Sequence, residues 1–308
     1  MSDHKEAKSF SRFGYIMVAA GAAIGLGNIW KFPYLAYGDG GGAFVLIYIV
    51  ICILLGHPIV QAEQAVGRRG RASAAASYGV IHPKWRFVGV INIVCTFLID
   101  IYYLVVSGWV LKYFVTYVVS GDFGKDKQAY FDNYISSTTQ PLIHSLVIIA
   151  IIVFFLFFGI TNIVEKASKV IMPMLAVLLL VCGIYALIVV PGAVDGLKYY
   201  FVPDFSKFGM QQFADACMQV CFSVGIGWGI FTTLGASMDK DANLKADAWW
   251  VDICDTFIAL LAGFVIIPTV VGTGSEMSSG PSLVFVAMTQ IFETLPGGRM
   301  IGIFFFAS

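Results

Sequence analysis

The sequence predicts an all-α polytopic membrane protein in which two of seven spanning helices are broken. Of its 308 residues, 58% are hydrophobic and only 12% are charged, whereas about a quarter of an average soluble domain is charged. Five long apolar stretches and two glycine-rich ones at corresponding positions add to this composition. One soluble core cannot hide so much apolar surface, and we therefore expect the lipid bilayer to surround the chain.

The five intact spans are runs of mainly apolar residues close to the length that crosses a bilayer as a helix, about 20 residues. They cover residues 44–61, 87–111, 141–160, 170–194 and 257–272. Only the second of them contains an ionised side chain, that of Asp100. These runs predict the second, third, fourth, fifth and seventh transmembrane helices.

The first and sixth spans, residues 15–37 and 217–238, are long enough but contain three glycines each: Gly21, Gly25 and Gly27, and Gly225, Gly227 and Gly229. Small residues alone could serve close helix packing. Two interrupted spans five helices apart instead favour an inverted repeat whose broken helices form a site at the bilayer midplane. We expect one transmembrane domain over residues 1–308, with a first repeat at about 12–194 and an incomplete second repeat at about 211–308.

The basic residues predict the orientation. Those before the first span and in the loops after the second, fourth and sixth spans all fall on one side of the bilayer. Arg12, Arg68, Arg71 and Lys169 belong to this group. Cytoplasmic loops carry such an excess, so we expect a multi-pass protein of the plasma (inner) membrane with a cytoplasmic N-terminus. The chain ends a few residues into a new apolar run after Pro296; we expect truncation in the eighth helix, with a short re-entrant or interfacial tail as the alternative.

Several function classes are excluded by composition. The 19 basic and 19 acidic side chains cancel, which provides no basic footprint for nucleic acid. The six cysteines lie in apolar runs without paired spacing and the four histidines are scattered, so neither a disulfide framework nor a metal cluster is predicted. No nucleophile-and-base set or phosphate loop is present, and we do not expect an enzyme.

A broken helix has a defined chemistry. Its unwound turn leaves backbone N–H and C=O groups that must find partners inside the protein, because lipid offers none. The N-terminus of a half-helix favours an anion, and carbonyl and side-chain oxygens favour a hard cation such as sodium. The two breaks therefore predict coupled binding of an anionic group and a cation.

The motifs resemble those of the neurotransmitter:sodium symporters. The segment GAAIGLGNIWKFPY at residues 21–34, followed by GGGAF at 40–44, is similar to the first helix of that family. Glu63 with Gly67 and Arg68, the pair Tyr102–Tyr103, and the glycine-broken sixth span occur in the family's order. The resemblance extends over the chain from Arg12 onward and implies the inverted-repeat fold of the bacterial leucine transporter, the LeuT-type fold.

The resemblance implies two sodium sites. One would be formed by the carbonyl of Ala23 and the side chains of Asn28, Ser223 and Asp255. The second would use the carbonyls of Gly21 and Ile24, and its remaining ligands belong to the eighth helix of the family. We therefore expect the second site to be incomplete in this chain.

The resemblance also implies a substrate site. The substrate carboxylate would meet the backbone N–H groups of Leu26 and Gly27 and the hydroxyl of Tyr103, and its amine would face carbonyls near Ala22, Phe222 and Ser223. The side-chain pocket would be lined by apolar and aromatic residues, namely Ile99, Tyr103, Phe222, Gly225 and Trp228. Because Gly225 leaves space, a larger or aromatic amino acid is expected.

Gly25 and Asp255 refine these expectations. Family members that carry monoamines resemble this stretch but have an aspartate at the position of Gly25, so the substrate here should bring its own carboxylate. At the position of Asp255, chloride-dependent relatives typically have asparagine and bind chloride nearby. A resident carboxylate would make chloride unnecessary. For Asp252, one turn earlier and nearer the cytoplasmic end, simple solvation is an alternative to a functional role.

Three further charged residues bear on gating and support. Lys31 stands where many relatives have the arginine of the outer gate. Glu63 resembles a family carboxylate that holds the unwound backbone, with an interfacial glutamate beside Arg68 as the alternative. Asp100 departs from the small or apolar residue expected at its position; it could line the pocket, pair with Lys31 or bond to a neighbouring helix, and no role is assigned to it.

Together these observations predict a sodium-coupled symporter that imports a hydrophobic or aromatic amino acid by alternating access. A carrier for another zwitterion, a non-transporting amino-acid sensor and a truncated remnant of the same fold are the alternatives. The expected partners are a small-molecule amino acid and the lipid bilayer, with no nucleic acid. Both a monomer and a homodimer remain open.

Overall fold

Helices make up nearly all of the chain in the computed structural model, which describes residues 10–157, 160–239, 241–274, 277 and 280–307. In chain order the α-helices are α1 (Arg12–Ala23), α2 (Phe32–Gly38), α3 (Gly42–Ile51), α4 (His57–Gly70), α5 (Ala74–Ile81), α6 (Arg86–Val119), α7 (Lys127–Ser136), α8 (Thr139–Phe157), α9 (Ile160–Val189), α10 (Ala193–Phe201), α11 (Met210–Val224), α12 (Ile230–Ala236), α13 (Leu244–Thr273), α14 (Thr289–Thr294) and α15 (Gly298–Ala307).

The first predicted span is broken as expected. Helix α1 ends where Ile24 adopts an extended conformation, with φ −67° and ψ 97°. A π-helical turn, Gly27–Lys31, then leads into α2, and the two halves meet at an angle of 59°. The unwound segment around Gly25 therefore lies in the middle of the span, where its backbone groups need partners within the protein.

Among the described residues, four continuous helical stretches are long and apolar enough to cross a bilayer: Gly42–Gly70, Pro83–Val119, Ile163–Val189 and Leu244–Thr273. They contain or largely overlap the predicted spans two, three, five and seven. Most of the predicted fourth span, 141–160, lies in α8, which forms a bent pair with α7 at 79°. Residues 158 and 159 of that span lie outside the described part of the chain.

The sixth predicted span consists of two short helices, α11 and α12, with 15 and 7 residues. Between them, Gly225, Gly227 and Gly229 have φ angles of 74°, 82° and 72°. Only glycine adopts this left-handed region without a steric cost. The glycine repeat is therefore what allows the span to be broken at this point.

Packing brings the two breaks together in the interior. Helix α13 contacts α1, α2 and the π-helical turn, while α11 contacts the same turn and α4 packs against α12. The outward faces of α6 and α8 instead expose large apolar side chains, such as Leu98 at 60% and Phe154 at 57% exposure. Lipid suits such faces and water does not, so the predicted all-α membrane fold agrees with this arrangement.

Candidate functional site

A buried polar cluster joins the two breaks to α13. The side-chain amide of Asn28 donates to Oδ1 of Asp255 at 2.7 Å and to the Asp255 carbonyl at 3.2 Å. The hydroxyl of Ser223 donates to Oδ2 of Asp255 at 2.8 Å. Asn28 and Asp255 are completely buried and Ser223 nearly so. A carboxylate enclosed in a membrane span in this way is a functional group by default, because burying it is costly.

Local structure explains how these side chains converge. Asn28 follows the unwound segment, and its Oδ1 accepts a hydrogen bond from the Gly25 N–H at 3.1 Å. Ser223 lies in the last turn of α11, directly before the glycine break, and Tyr48 from α3 donates to its hydroxyl at 3.4 Å. Asp255 lies within the long helix α13. Each break therefore presents one polar side chain to the same carboxylate.

The cluster contains oxygen atoms that retain acceptor capacity. A carboxylate has about four lone-pair positions, and the amide oxygen has two. Two positions of Asp255 and one of the Asn28 oxygen are used by the hydrogen bonds described above. Hard cations prefer oxygen ligands of this kind, so Asn28, Ser223 and Asp255 could hold a sodium ion.

A cavity of about 320 Å³ adjoins this cluster and contains most of the predicted site residues. It is lined by Gly21, Ala22, Ala23, Ile24, Gly25, Gly27, Asn28, Thr96, Ile99, Asp100, Tyr103, Phe222, Ser223, Trp228 and Ile230. The predicted carbonyl ligands at Gly21, Ala23 and Ile24 thus border the same space as the predicted substrate contacts. Polar groups of the broken backbone meet an apolar and aromatic wall there, as in many small-molecule sites.

Two predicted pocket residues lie beside this cavity. Leu26 lines a neighbouring cavity of about 530 Å³ together with Ile24, Gly25 and Tyr103. Gly225 caps α11, and a Cβ atom there would face the Trp228 ring and Ile230 at 3.6–3.7 Å. The left-handed conformation of Gly225 therefore explains this glycine better than space for a substrate does.

Three aromatic rings form one wall of the cavity. Trp228 makes edge-to-face contacts with Tyr103, at 6.4 Å between ring centroids, and with Phe222, at 5.6 Å. The Lys31 ammonium lies 4.6 Å from the Phe222 ring centroid, within the range of a cation–π contact. Lys31, the predicted gate residue, thereby contacts a ring that lines this cavity.

Glycines bring the first break close to this wall. A Cβ atom on Gly27 would lie 2.5 Å from the Phe222 ring, and one on Gly25 would lie 3.0 Å from the Tyr103 hydroxyl. Real Cβ atoms essentially never come as close as the first of these distances. The absence of side chains at these two positions therefore lets the unwound backbone approach the ring and the hydroxyl that line the cavity.

Side chains on α4 and α6 form hydrogen bonds with the backbone of the second break. Oε1 of Glu63 accepts a hydrogen bond from the Gly227 N–H at 2.8 Å. The Asn92 amide, oriented to satisfy its neighbours, donates to the Gly227 carbonyl at 3.0 Å, and the Thr96 hydroxyl donates to the Trp228 carbonyl. Glu63 thus lies where it can support the unwound backbone.

Sequence reasoning missed several of these contacts. Gln219 is completely buried and donates to the Gly27 carbonyl at 3.3 Å, which links the two broken spans directly. Thr96 and Asn92 had a weak signal, since both are polar residues inside an apolar run. The register that turns them toward the second break could not be read from that run alone.

Asp252 is not solvated, in contrast to the alternative that the sequence left open. It is buried, and its Oδ2 lies 2.8 Å from Nδ1 of His57 on α4. The His57 ring stacks on Trp249 at 3.9 Å between centroids. The histidine that looked isolated in the sequence is therefore packed against a carboxylate and an indole. Its contact offsets part of the cost of burying Asp252, whose Oδ1 has no hydrogen-bond partner among the described residues.

Comparison with known proteins identifies the fold and the family. Residues 7–122 and 128–308 match the sodium:neurotransmitter symporter family. The crystal structure of MhsT in complex with L-phenylalanine superimposes with a TM-score of 0.90 and 34% identity, covering 98% of this chain and 70% of that one. The predicted all-α, LeuT-type fold with its broken helices is confirmed by this match.

Curated relatives agree with this result. A sodium-dependent transporter of Haemophilus influenzae is 33% identical over 96% of this chain and 68% of its own length. YhdH of Bacillus subtilis, also a sodium-dependent transporter, is 34% identical over 99% and 68%. The human sodium- and chloride-dependent creatine transporter 1 is 27% identical over 95% and 55%. The chain therefore belongs to the sodium:neurotransmitter symporter family and is a sodium-coupled membrane transporter for a small molecule, not an enzyme.

Proposed function

We propose that the protein couples inward movement of sodium to the import of a hydrophobic or aromatic amino acid by alternating access. The observation that carries this proposal is the Asn28–Asp255–Ser223 cluster, which connects both broken spans and borders the 320 Å³ cavity. A cation at the cluster and a substrate in the cavity would share the same unwound backbone.

The cavity lining supports an amino acid as the substrate. Among the described residues that line it, none carries a basic side chain that could bind a carboxylate, so that role would fall to the Leu26 and Gly27 N–H groups and the Tyr103 hydroxyl. The edge-to-face rings of Tyr103, Phe222 and Trp228 offer apolar area to a large side chain. The bound L-phenylalanine of MhsT is consistent with this substrate class.

Two sodium sites are part of the proposal. The first comprises the Ala23 carbonyl with the side chains of Asn28, Ser223 and Asp255. The second includes the Gly21 and Ile24 carbonyls, which border the same cavity, and needs further ligands. Because Asp255 supplies a negative charge beside the first sodium, we infer that transport does not require chloride, unlike the sodium- and chloride-dependent creatine transporter.

The cluster also provides a physical basis for coupling. If sodium and substrate each favour the same arrangement of the first break, each raises the affinity of the other by the same factor. Asn28 could transmit this effect, since its amide bonds both Asp255 and the Gly25 N–H. Each sodium charge that crosses the membrane contributes about 2.3 kcal/mol per 100 mV to accumulation.

Contacts made by three basic side chains support a cytoplasmic N-terminus in the plasma (inner) membrane. Arg12 pairs with Asp247 at the start of α13, Arg68 donates to the Ala242 carbonyl, and Arg71 donates to the Ala236 carbonyl. The N-terminal end of α1, the C-terminal end of α4 and the beginning of α13 thus share one end of the molecule. Such an accumulation of basic side chains is typical of the cytoplasmic face.

Uptake into proteoliposomes tests the proposal. Labelled tryptophan, leucine and alanine would be offered with an inward sodium gradient or with choline in place of sodium, and with chloride or gluconate as the anion. We expect sodium-driven accumulation of tryptophan and leucine, stronger than that of alanine and equal in the two anions. Sodium-dependent binding without accumulation would instead indicate a sensor. If the chain showed no binding and no uptake of any of these amino acids, an amino-acid substrate would be refuted.

A further inference from the structure

One face of α6 both lines the central cavity and bonds to the second break. Four residues of α6 follow one another at intervals of four, three and four positions, namely Asn92, Thr96, Ile99 and Tyr103. This spacing places their side chains on one face of the helix. The last three line the 320 Å³ cavity. The first two bond to the backbone of the break that carries Trp228, another residue of the cavity lining.

The two carbonyls at the centre of the second break are both held by α6. The Gly227 carbonyl accepts from the Asn92 amide at 3.0 Å, and the Trp228 carbonyl accepts from the Thr96 hydroxyl. The Gly227 N–H is bonded to Glu63 on α4. Because backbone groups inside a membrane need partners within the protein, these bonds fix the course of the chain through Gly227 and Trp228.

Packing brings the second break close enough to α6 for these bonds. A Cβ atom on Gly229 would lie 3.2 Å from the Asn92 Cβ atom and 3.2 Å from that of Ala74 on α5. Gly229 also has a left-handed φ of 72°, which favours glycine. The glycine therefore lets the break lie directly against α5 and α6.

Holding the backbone of Trp228 also places its ring. The ring makes edge-to-face contacts with both Tyr103 and Phe222, so it is the central ring of the aromatic wall. Tyr103 lies seven residues after Thr96 on the same helix, about 10.5 Å further along at 1.5 Å per residue. Since one helix carries both the hydroxyl that holds Trp228 and the ring of Tyr103, α6 sets the position of these two rings relative to each other.

We propose that Thr96 and Asn92 are positioning residues for substrate selectivity, because they hold the Trp228 ring where it forms one apolar wall with Tyr103 and Phe222. This inference rests on the proposed function and deepens it by naming residues outside the aromatic wall that decide its shape. With both bonds in place, a large side chain makes many close contacts with the wall, each weak but large in sum. If the ring shifts, a large side chain loses more of these contacts than the methyl group of alanine does.

Binding to the chain in lipid nanodiscs tests the inference. Displacement of labelled phenylalanine by phenylalanine, leucine and alanine would be measured in sodium, and selectivity is the ratio of the alanine and phenylalanine dissociation constants. Thr96→Val removes the hydroxyl, which donates to the Trp228 carbonyl or, at 3.0 Å, to the Asn92 carbonyl of its own helix. Thr96→Ser keeps the hydroxyl. The matched control is Thr269→Val, which removes a hydroxyl that donates at 2.7 Å to the Val265 carbonyl within α13.

In Thr96→Val we expect selectivity to fall by roughly three- to tenfold, the net effect of one hydrogen bond. The fall should come from weaker phenylalanine binding, with little change in alanine binding and in the half-saturating sodium concentration. Asn92→Ala should act in the same direction, because it removes the partner of the Gly227 carbonyl. Thr96→Ser should restore most of the selectivity, and Thr269→Val should resemble the wild type.

A double-mutant cycle separates positioning from a purely structural role. Trp228→Ala keeps the carbonyl that Thr96 binds but lacks the ring. If Thr96 acts through the ring, Thr96→Val should lower selectivity in the wild type and leave it unchanged in Trp228→Ala. A purely structural role would instead lower the melting temperature and weaken the binding of both amino acids and of sodium alike.

Several results would overturn the inference. These are a wild type that binds phenylalanine and alanine equally, a Thr96→Val variant with wild-type selectivity, an equal loss of both amino acids, or the same loss of selectivity in the Trp228→Ala background. If Thr96→Val does not fold, Asn92→Ala decides by the same measurements. Absence of any sodium-dependent binding to the wild type would refute the proposed function, and the inference with it.

Discussion

Replacing Asp255 by asparagine isolates the contribution of its charge to sodium binding. Asparagine has nearly the same shape as aspartate. Its oxygen can accept from the Asn28 amide, and its NH₂ group can donate to the Ser223 hydroxyl, which accepts as well as donates. Both contacts, at 2.7 and 2.8 Å, can therefore be kept. We expect Asp255→Asn to fold and to lose mainly the negative charge.

The size of the effect follows from the geometry. A cation that contacts Asn28 and Ser223 would lie within roughly 4 Å of the Asp255 carboxylate, since both side chains are bonded to it. At 4 Å and an effective dielectric constant of about 20, two unit charges attract by about 4 kcal/mol. Allowing for relaxation, a loss of about 2–4 kcal/mol corresponds to roughly 30- to 700-fold weaker sodium binding.

The assay is amino-acid binding as a function of sodium concentration, measured in parallel with sodium chloride and sodium gluconate. In Asp255→Asn the half-saturating sodium concentration should rise, and it should rise more in gluconate if chloride can replace the missing charge. Asp195→Asn, which breaks an exposed pair with Lys198 at 3.0 Å, is the control and should resemble the wild type. Unchanged sodium dependence of Asp255→Asn in both salts would refute a sodium site at this carboxylate.

Two further predictions concern the breaks. A Cβ atom at Gly27 would meet the Phe222 ring at 2.5 Å, so Gly27→Ala should weaken sodium-dependent binding by about 1–3 kcal/mol through overpacking. A Cβ atom at Gly38 would have no described atom within 4 Å, so binding by the control variant Gly38→Ala should be unchanged. Equal binding by Gly27→Ala and Gly38→Ala would contradict the argument. Glu63→Ala removes the acceptor of the Gly227 N–H. It should lower the free energy of unfolding by about 1–3 kcal/mol and therefore the melting temperature more than Glu63→Gln does. Equal melting temperatures of the two variants would argue against support of the break.

The positions of the breaks were readable from the sequence because a break is a local property. Gly225, Gly227 and Gly229 allow left-handed backbone wherever they occur, and in the structure all three adopt it. The apolar runs likewise indicated the intact spans, since bilayer thickness sets their minimum length. Their ends were less accurate: α6 runs on to Val119, because a helix continues beyond the purely apolar part of its sequence.

The candidate site was only partly readable. Asn28 and Asp255 lie 227 residues apart, and resemblance to a family, not their spacing, associated them. Asp252 shows the limit of reading one helix at a time, because its environment is supplied by His57, 195 residues away. Gln219 shows the same limit: nothing in α11 alone indicates that it reaches the Gly27 carbonyl.

The sequence by itself determined the membrane environment, the spans and the two points at which they break, since these depend on composition and on the conformational freedom of single residues. Tertiary structure decided which side chains meet at the breaks. The rotation and height of each helix are set by packing against several others at once, and they turn Glu63 toward one break and Asn28, Ser223 and Asp255 toward each other.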